Sequence, residues 1–144
     1  MNSDDKRIYW ANALFSDADR QYNERCASKL RELGYYVFLP QDTPMTFEKE
    51  PSSEEIFSVD TDEIRNCDIL VACLDQFPID TGVACEVGVA YALGKTIVGL
   101  YTDIRANREG DGKMYKNQYV LGAIKSTGTI TYSFEELIDT LQSY

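Results

Sequence analysis

Two stretches of the chain, Asp68 to Leu74 (DILVACL) and Thr96 to Tyr101 (TIVGLY), are continuously apolar instead of alternating. Short runs of this kind are strands buried on both faces, the pattern of a parallel sheet sandwiched between helices. The intervening segments agree. Asp17 to Leu33 carries Tyr22, Cys26, Leu30 and Leu33 at helical spacing and ends at Gly34, a suitable residue for the position after a helix. Ser53 to Asn66 places Ile56, Val59 and Ile64 toward one side, with acids near its start where the helix dipole favours them. Gly82 to Leu93, a short piece from Asn117 to Lys125, and a segment opened by Ser133 and Glu136 in capping-box spacing complete the helices. The remaining strands are expected at Lys6 to Leu14, Tyr35 to Leu39 and Thr129 to Tyr132, and Pro40, Pro44 and Pro51 mark a loop. Five strands alternating with helices predict an α/β doubly wound parallel sheet with right-handed crossovers and helices on both faces. A length of 144 residues suits a single domain over 1–144.

In a sheet of this kind a ligand sits beyond the carboxyl ends of the strands, where strand order reverses. The search for chemistry therefore narrows to residues 11–17, 40–52, 75–86, 102–118 and 126–128. The chain has no histidine, so imidazole bases and imidazole-ligated metals are excluded. With 24 acidic against 14 basic residues and a net charge of −10, it lacks the basic surface that binds nucleic acid or anionic membrane. The expected partner is a small molecule. Cys26, Cys67, Cys73 and Cys85 show no CxxC spacing and read as reduced thiols. No run reaches the length of a membrane span and residues 1–6 lack the apolar core of a signal peptide, so the expectation is a cytoplasmic protein.

Two groups of acids stand out. Asp80 precedes the helix start at Gly82, and Glu86 follows as the single charge between Asp80 and Lys95, among Gly82, Ala84, Gly88 and Ala90. Small residues there let a ligand approach the backbone. The second group, Asp60 with Asp62 and Glu63, lies in the helix before the strand DILVACL. Each acid taken singly also fits an ordinary role, as a helix cap or on a solvated face. Converging at one cleft, such carboxyls raise one pKa and leave another ionised, as a histidine-free site for glycosyl transfer requires.

Three segments together carry a resemblance: Ile8 to Phe15 (IYWANALF), Asp60 ahead of Cys67 to Leu70 (CDIL), and Asp80 to Gly88 (DTGVACEVG) continuing through Ala90 to Lys95. Over nearly its whole length the chain resembles the nucleoside 2-deoxyribosyltransferases, a flavodoxin-like family that moves 2-deoxyribose between nucleobases. The resemblance implies Glu86 as nucleophile at the anomeric carbon and Tyr9 as a hydroxyl partner that orients it. It implies Asp60 as the acid that holds the sugar or passes a proton to the leaving base. Asp80 would contact the base beside Gly82, and Leu14 and Phe15 would form an apolar wall against it. Asn117 would reach the 5′-hydroxyl end of the sugar from a neighbouring subunit, so a homo-oligomer, dimer or higher, with a shared site is implied. No cofactor and no metal is implied, and the partners are deoxynucleosides and nucleobases.

Related hydrolases that cleave deoxynucleoside 5′-monophosphates surround the phosphate with serines. Here Asp80 stands six residues before Glu86, and a carboxylate repels a phosphate dianion. Free nucleosides are expected as substrates, with an N-glycosidic hydrolase as the alternative and a catalytically silent ligand-sensing or oligomer-forming module as the third possibility. Arg105 and Arg108 follow the fourth strand; they either reach inward to a phosphate or form surface ion pairs. The choice between purines and pyrimidines falls to the shape of the loop 40–52.

Overall fold

The computed structural model describes residues 6–43, 50–106 and 115–144. Its strands are β1 (Arg7–Ala11), β2 (Tyr36–Phe38), β3 (Ile69–Cys73), β4 (Thr96–Leu100) and β5 (Thr129–Thr131). They form one sheet in the order β2-β1-β3-β4-β5, with every neighbouring pair parallel. This is the flavodoxin-like order, and its reversal point lies between β1 and β3. All five residues of β3 are buried, as its unbroken apolar run predicts.

Helices α1 (Asp17–Glu32) and α5 (Phe134–Leu141) cover one face, where Cys26, Ala27, Leu30, Leu137 and Leu141 pack on Ile8, Trp10 and Val71. Helices α2 (Ser53–Asn66), α3 (Thr81–Ala92) and α4 (Gln118–Thr127) cover the other, where Ile64, Val83, Val87 and Ile124 pack on Tyr9, Leu70 and Ile97. The period of two along β1 thus sends Ile8 and Trp10 to one layer and Tyr9 and Ala11 to the other.

Local chemistry sets the boundaries. Gly34 and Gly94 follow α1 and α3 with φ of 95° and 70°, the left-handed geometry in which glycine carries no Cβ penalty. Ser52 and Glu55 form a reciprocal capping box on α2. Ser133 caps α5, but Glu136 reaches the Tyr132 amide instead of that of Ser133. β1 is shorter than the expected Lys6 to Leu14. The Asn12 side chain accepts from the Ala13 amide at 2.9 Å and donates to Asn23 at 2.8 Å, which turns the backbone out of the ladder after Ala11.

Candidate active site

At the carboxyl end of β1 the fold gathers four of the expected residues. Tyr9 rises from β1 into the α2–α3 layer and is fully buried. Asp60 comes from α2 and Glu86 from α3, one turn into the helix that Asp80 opens. Asp80 accepts from the Val83 amide at 3.1 Å, so it is the N-cap of α3. The same oxygen, Oδ2, also faces Gly82 on the side toward Glu86. A Cβ built on Gly82 would lie 3.1 Å from Asp80 Oδ2 and 3.9 Å from Glu86 Oε1. A side chain at position 82 would therefore crowd the Asp80 carboxyl, and glycine keeps the approach between the two acids clear.

The electrostatics follow from this crowding. Burial, then the charges of Asp60 and Asp80, push the Glu86 carboxyl up to about 8, while the nearby Tyr9 hydroxyl acts in the opposite sense. Burial, then Glu63 one turn further along α2, raises Asp60 to about 6. The Tyr9 hydroxyl is held far above its ordinary value by burial first and by Glu86 and Asp60 next. Asp60 and Glu86 thus act on one another, and their two carboxyls titrate as a coupled pair on either side of neutral pH.

The hydrogen bond expected between Tyr9 and Glu86 is not made. Tyr9 Oη and Glu86 Oε2 are both shielded from solvent, and neither has a hydrogen-bond partner among the described residues. Each nevertheless shifts the other's proton affinity: Glu86 raises that of the Tyr9 hydroxyl, and Tyr9 lowers that of the Glu86 carboxyl. Two buried oxygens left unpaired are costly, and such groups concentrate where a substrate is to be received.

The other expected residues lie at various distances from this centre of charge. Leu14 and Phe15 occupy the β1–α1 loop beyond the end of β1; Leu14 is half-buried and the Phe15 ring is 83% exposed. An exposed ring at this edge is a platform, not yet a wall. Asn117 caps α4 within its own subunit, accepting from Tyr119 N at 3.0 Å and Val120 N at 3.2 Å. Its carbonyl oxygen is thereby occupied, and the amide nitrogen retains its donors. Arg105 is committed to Asp103 through Nη2–Oδ2 at 2.7 Å and Nε–Oδ1 at 2.9 Å. Arg108 lies outside the described residues, as does most of the stretch from 40 to 52 beyond Thr43.

Three residues near the site carry no signal in the sequence. Phe38, at the end of β2, packs its ring 5.3 Å from that of Tyr9 and is half-buried. Lys116 is 5% exposed; its ammonium donates to the Gln76 carbonyl at 2.6 Å and sits 4.9 Å from the Tyr101 ring centre. Burial lowers its pKa, with Asp75 and Asp103 pulling the other way. Asn23 is buried at the centre of a polar cluster below β1. Surface hollows of about 310 Å³ beside β2 and 500 Å³ between α1 and α5 include none of Tyr9, Asp60, Asp80 or Glu86. The charged residues of the first, Arg31 and Asp42, are already paired at 3.2 Å. Among the described residues no group of three or more Cys, Asp or Glu is placed to hold a metal ion, and no helix is long and apolar enough to cross a membrane.

The chain is similar to several known proteins. A family model for nucleoside 2-deoxyribosyltransferase matches residues 8–138. The structure is similar to that of a conserved protein from Enterococcus faecalis V583, with 34% identity, a TM-score of 0.90, and coverage of 96% of this chain and 98% of that one. It shares its fold with the 2-desoxiribosyltransferase from Leishmania mexicana at 23% identity and a TM-score of 0.71, covering 96% of this chain and 99% of that one. It also shares it with the Clostridium botulinum CMP N-glycosidase BcmB at 21% identity and a TM-score of 0.61, over 95% and 99% of the two chains. No curated protein sequence matches the chain.

Proposed function

The chain belongs to the nucleoside 2-deoxyribosyltransferase family, and within it we propose that it moves 2-deoxyribose between the bases of free deoxynucleosides through a covalent intermediate on Glu86. The observation that carries this reading is the convergence of Glu86 and Asp80 over Gly82, beside a buried Glu86 oxygen with no partner. In the first displacement a Glu86 oxygen bonds to the anomeric carbon as the carbon–nitrogen bond breaks. The bonding pair leaves on the base nitrogen, which takes a proton held by Asp60. In the second, a nitrogen of the incoming base attacks the same carbon, the ester bond to Glu86 breaks, and a proton returns to the carboxyl pair. Two inversions give net retention. Tyr9 donates its hydroxyl to the Glu86 carboxylate once substrate has drawn the two into line, and Leu14, Phe15 and Asp80 receive the base.

Free nucleosides fit better than 5′-monophosphates because Asp80 adds negative charge where a phosphate would need donors, and Arg105 is held by Asp103. A homo-oligomer in which Asn117 uses its remaining amide donors toward a neighbouring site is part of the same reading. The second reading is an N-glycosidic hydrolase. The same first displacement followed by attack of water gives free sugar, and the fold shared with a CMP N-glycosidase supports it. Incubation with deoxyinosine and adenine separates the outcomes. Formation of deoxyadenosine is expected, free deoxyribose alone would favour the hydrolase, and neither product would point to a catalytically silent module.

A further inference from the structure

The loops that flank the four acids are pinned by a residue that takes no part in the chemistry. Asn23, on the second turn of α1, is 2% exposed, and its amide fills all of its hydrogen-bonding capacity. Asn23 Oδ1 accepts from Trp10 Nε1 at 3.0 Å and from Asn12 Nδ2 at 2.8 Å. Asn23 Nδ2 donates to the Ala13 carbonyl at 3.0 Å and to Gln41 Oε1 at 2.9 Å. Gln41 in turn donates to the Arg20 carbonyl at 3.1 Å. One side chain therefore joins the end of β1, the turn that leads to Leu14 and Phe15, and the 3-10 turn Pro40–Asp42 that follows β2. Nearer the start of α1, Asp19 accepts from Gln76 at 3.3 Å and so touches the third loop, which leads to Asp80.

The acids themselves are held differently. Asp60 and Glu86 stand on α2 and α3, which pack on the opposite face of the sheet through Ile64, Val83 and Val87. Loosening the Asn23 cluster thus moves the loops beyond β1 and β2 relative to Asp60 and Glu86 without moving those two carboxyls relative to one another.

We infer that Asn23 is a positioning residue for base recognition, setting the mutual placement of the β1–α1 loop and the 3-10 turn after β2. The inference rests on the proposed action on deoxynucleosides, in which those loops receive the base. A fully satisfied buried network specifies one arrangement of its members, and losing a member leaves several partners unpaired. Its effect on catalysis is expressed in binding, because misplacing a recognition loop costs affinity for the part of the substrate it touches.

The test uses Asn23→Leu, which keeps the approximate side-chain volume and removes every bond. Gln41→Leu serves as a milder variant that breaks a half-buried arm and leaves the remaining bonds of Asn23 intact. Gln41→Glu retains the acceptor for Asn23 Nδ2. Steady-state kinetics on deoxyinosine are measured for each across pH 5–9. The expected result is a rise in KM of roughly tenfold for Asn23→Leu and about threefold for Gln41→Leu, substantial recovery in Gln41→Glu, and kcat within about twofold of wild type. The pH dependence stays where it is in the two Leu variants, since neither adds or removes a titrating group. A fall in kcat at unchanged KM, or unchanged kinetics in folded Gln41→Leu, overturns the inference. Should Asn23→Leu not fold, the Gln41 pair decides alone. A wild-type protein inert toward deoxynucleosides overturns the function beneath the inference, and this is distinct from an active wild type with unaffected variants.

Discussion

Glu86→Gln should make the protein more stable while making it inactive, and the gain should grow with pH. Glutamine keeps the size of the side chain and removes its charge. In the unfolded chain the carboxyl titrates near its ordinary value of 4.5, whereas in the folded protein burial and the neighbouring Asp60 and Asp80 push it up to about 8. Between those pH values folding must retain a proton that the unfolded chain has shed. Stability is therefore lost as pH rises through that window, at up to about 1.4 kcal/mol per pH unit. From pH 5 to pH 7 the limiting loss is about 2.7 kcal/mol. Glu86 as a whole residue is only half-buried, so solvent screening reduces the figure to about 1 to 2 kcal/mol. The Gln variant escapes this loss. Urea unfolding of both proteins at pH 5 and pH 7 measures it: the stability difference should widen by about 1 to 2 kcal/mol in favour of the variant at the higher pH. A difference that is the same at both pH values would refute the claim that Glu86 is forced to hold its proton.

Tyr9→Phe removes a buried hydroxyl that has no partner, so melting temperature should hold or rise slightly; turnover should fall roughly 10- to 100-fold if the hydroxyl orients the Glu86 carboxylate in the complex. Indistinguishable kinetics would make Tyr9 a packing residue only. With Asp60 raised to about 6 and Glu86 to about 8, the site carries one shared proton between those values, so kcat/KM on deoxyinosine should be bell-shaped with limbs near them; a flat profile from pH 5 to 9 would contradict the paired carboxyls. Asp80→Asn retains an oxygen to cap α3, so folding should persist while the ranking of donor bases changes; equal losses for every base would confine Asp80 to its cap.

The sheet was legible because its signals are local. DILVACL and TIVGLY declare buried strands by themselves, and the acids of the segment Asp80 to Gly88 stand out against small and apolar neighbours. The end of β1 was not legible, because it depends on Asn12 finding Asn23, eleven residues away. Lys116 meets Gln76 across forty residues, and nothing in a polar stretch marks one lysine as the buried one. Asn117 illustrates a different difficulty. Asn favours helix starts as readily as ligand contacts, and here the fold uses it as a cap. The lack of a hydrogen bond between Tyr9 and Glu86 depends on how side chains from β1 and α3 meet, which no spacing encodes.

The proposed mechanism requires that Glu86 become covalently bonded to the sugar. Denaturing the protein during turnover of a 2-fluoro-2-deoxy nucleoside, whose fluorine slows breakdown of the glycosyl ester, and digesting it for mass spectrometry tests this directly. A single sugar-sized adduct is expected on the peptide that contains Glu86, absent from Glu86→Gln. An adduct on another peptide, or an active enzyme that gives an inverted product, would contradict it.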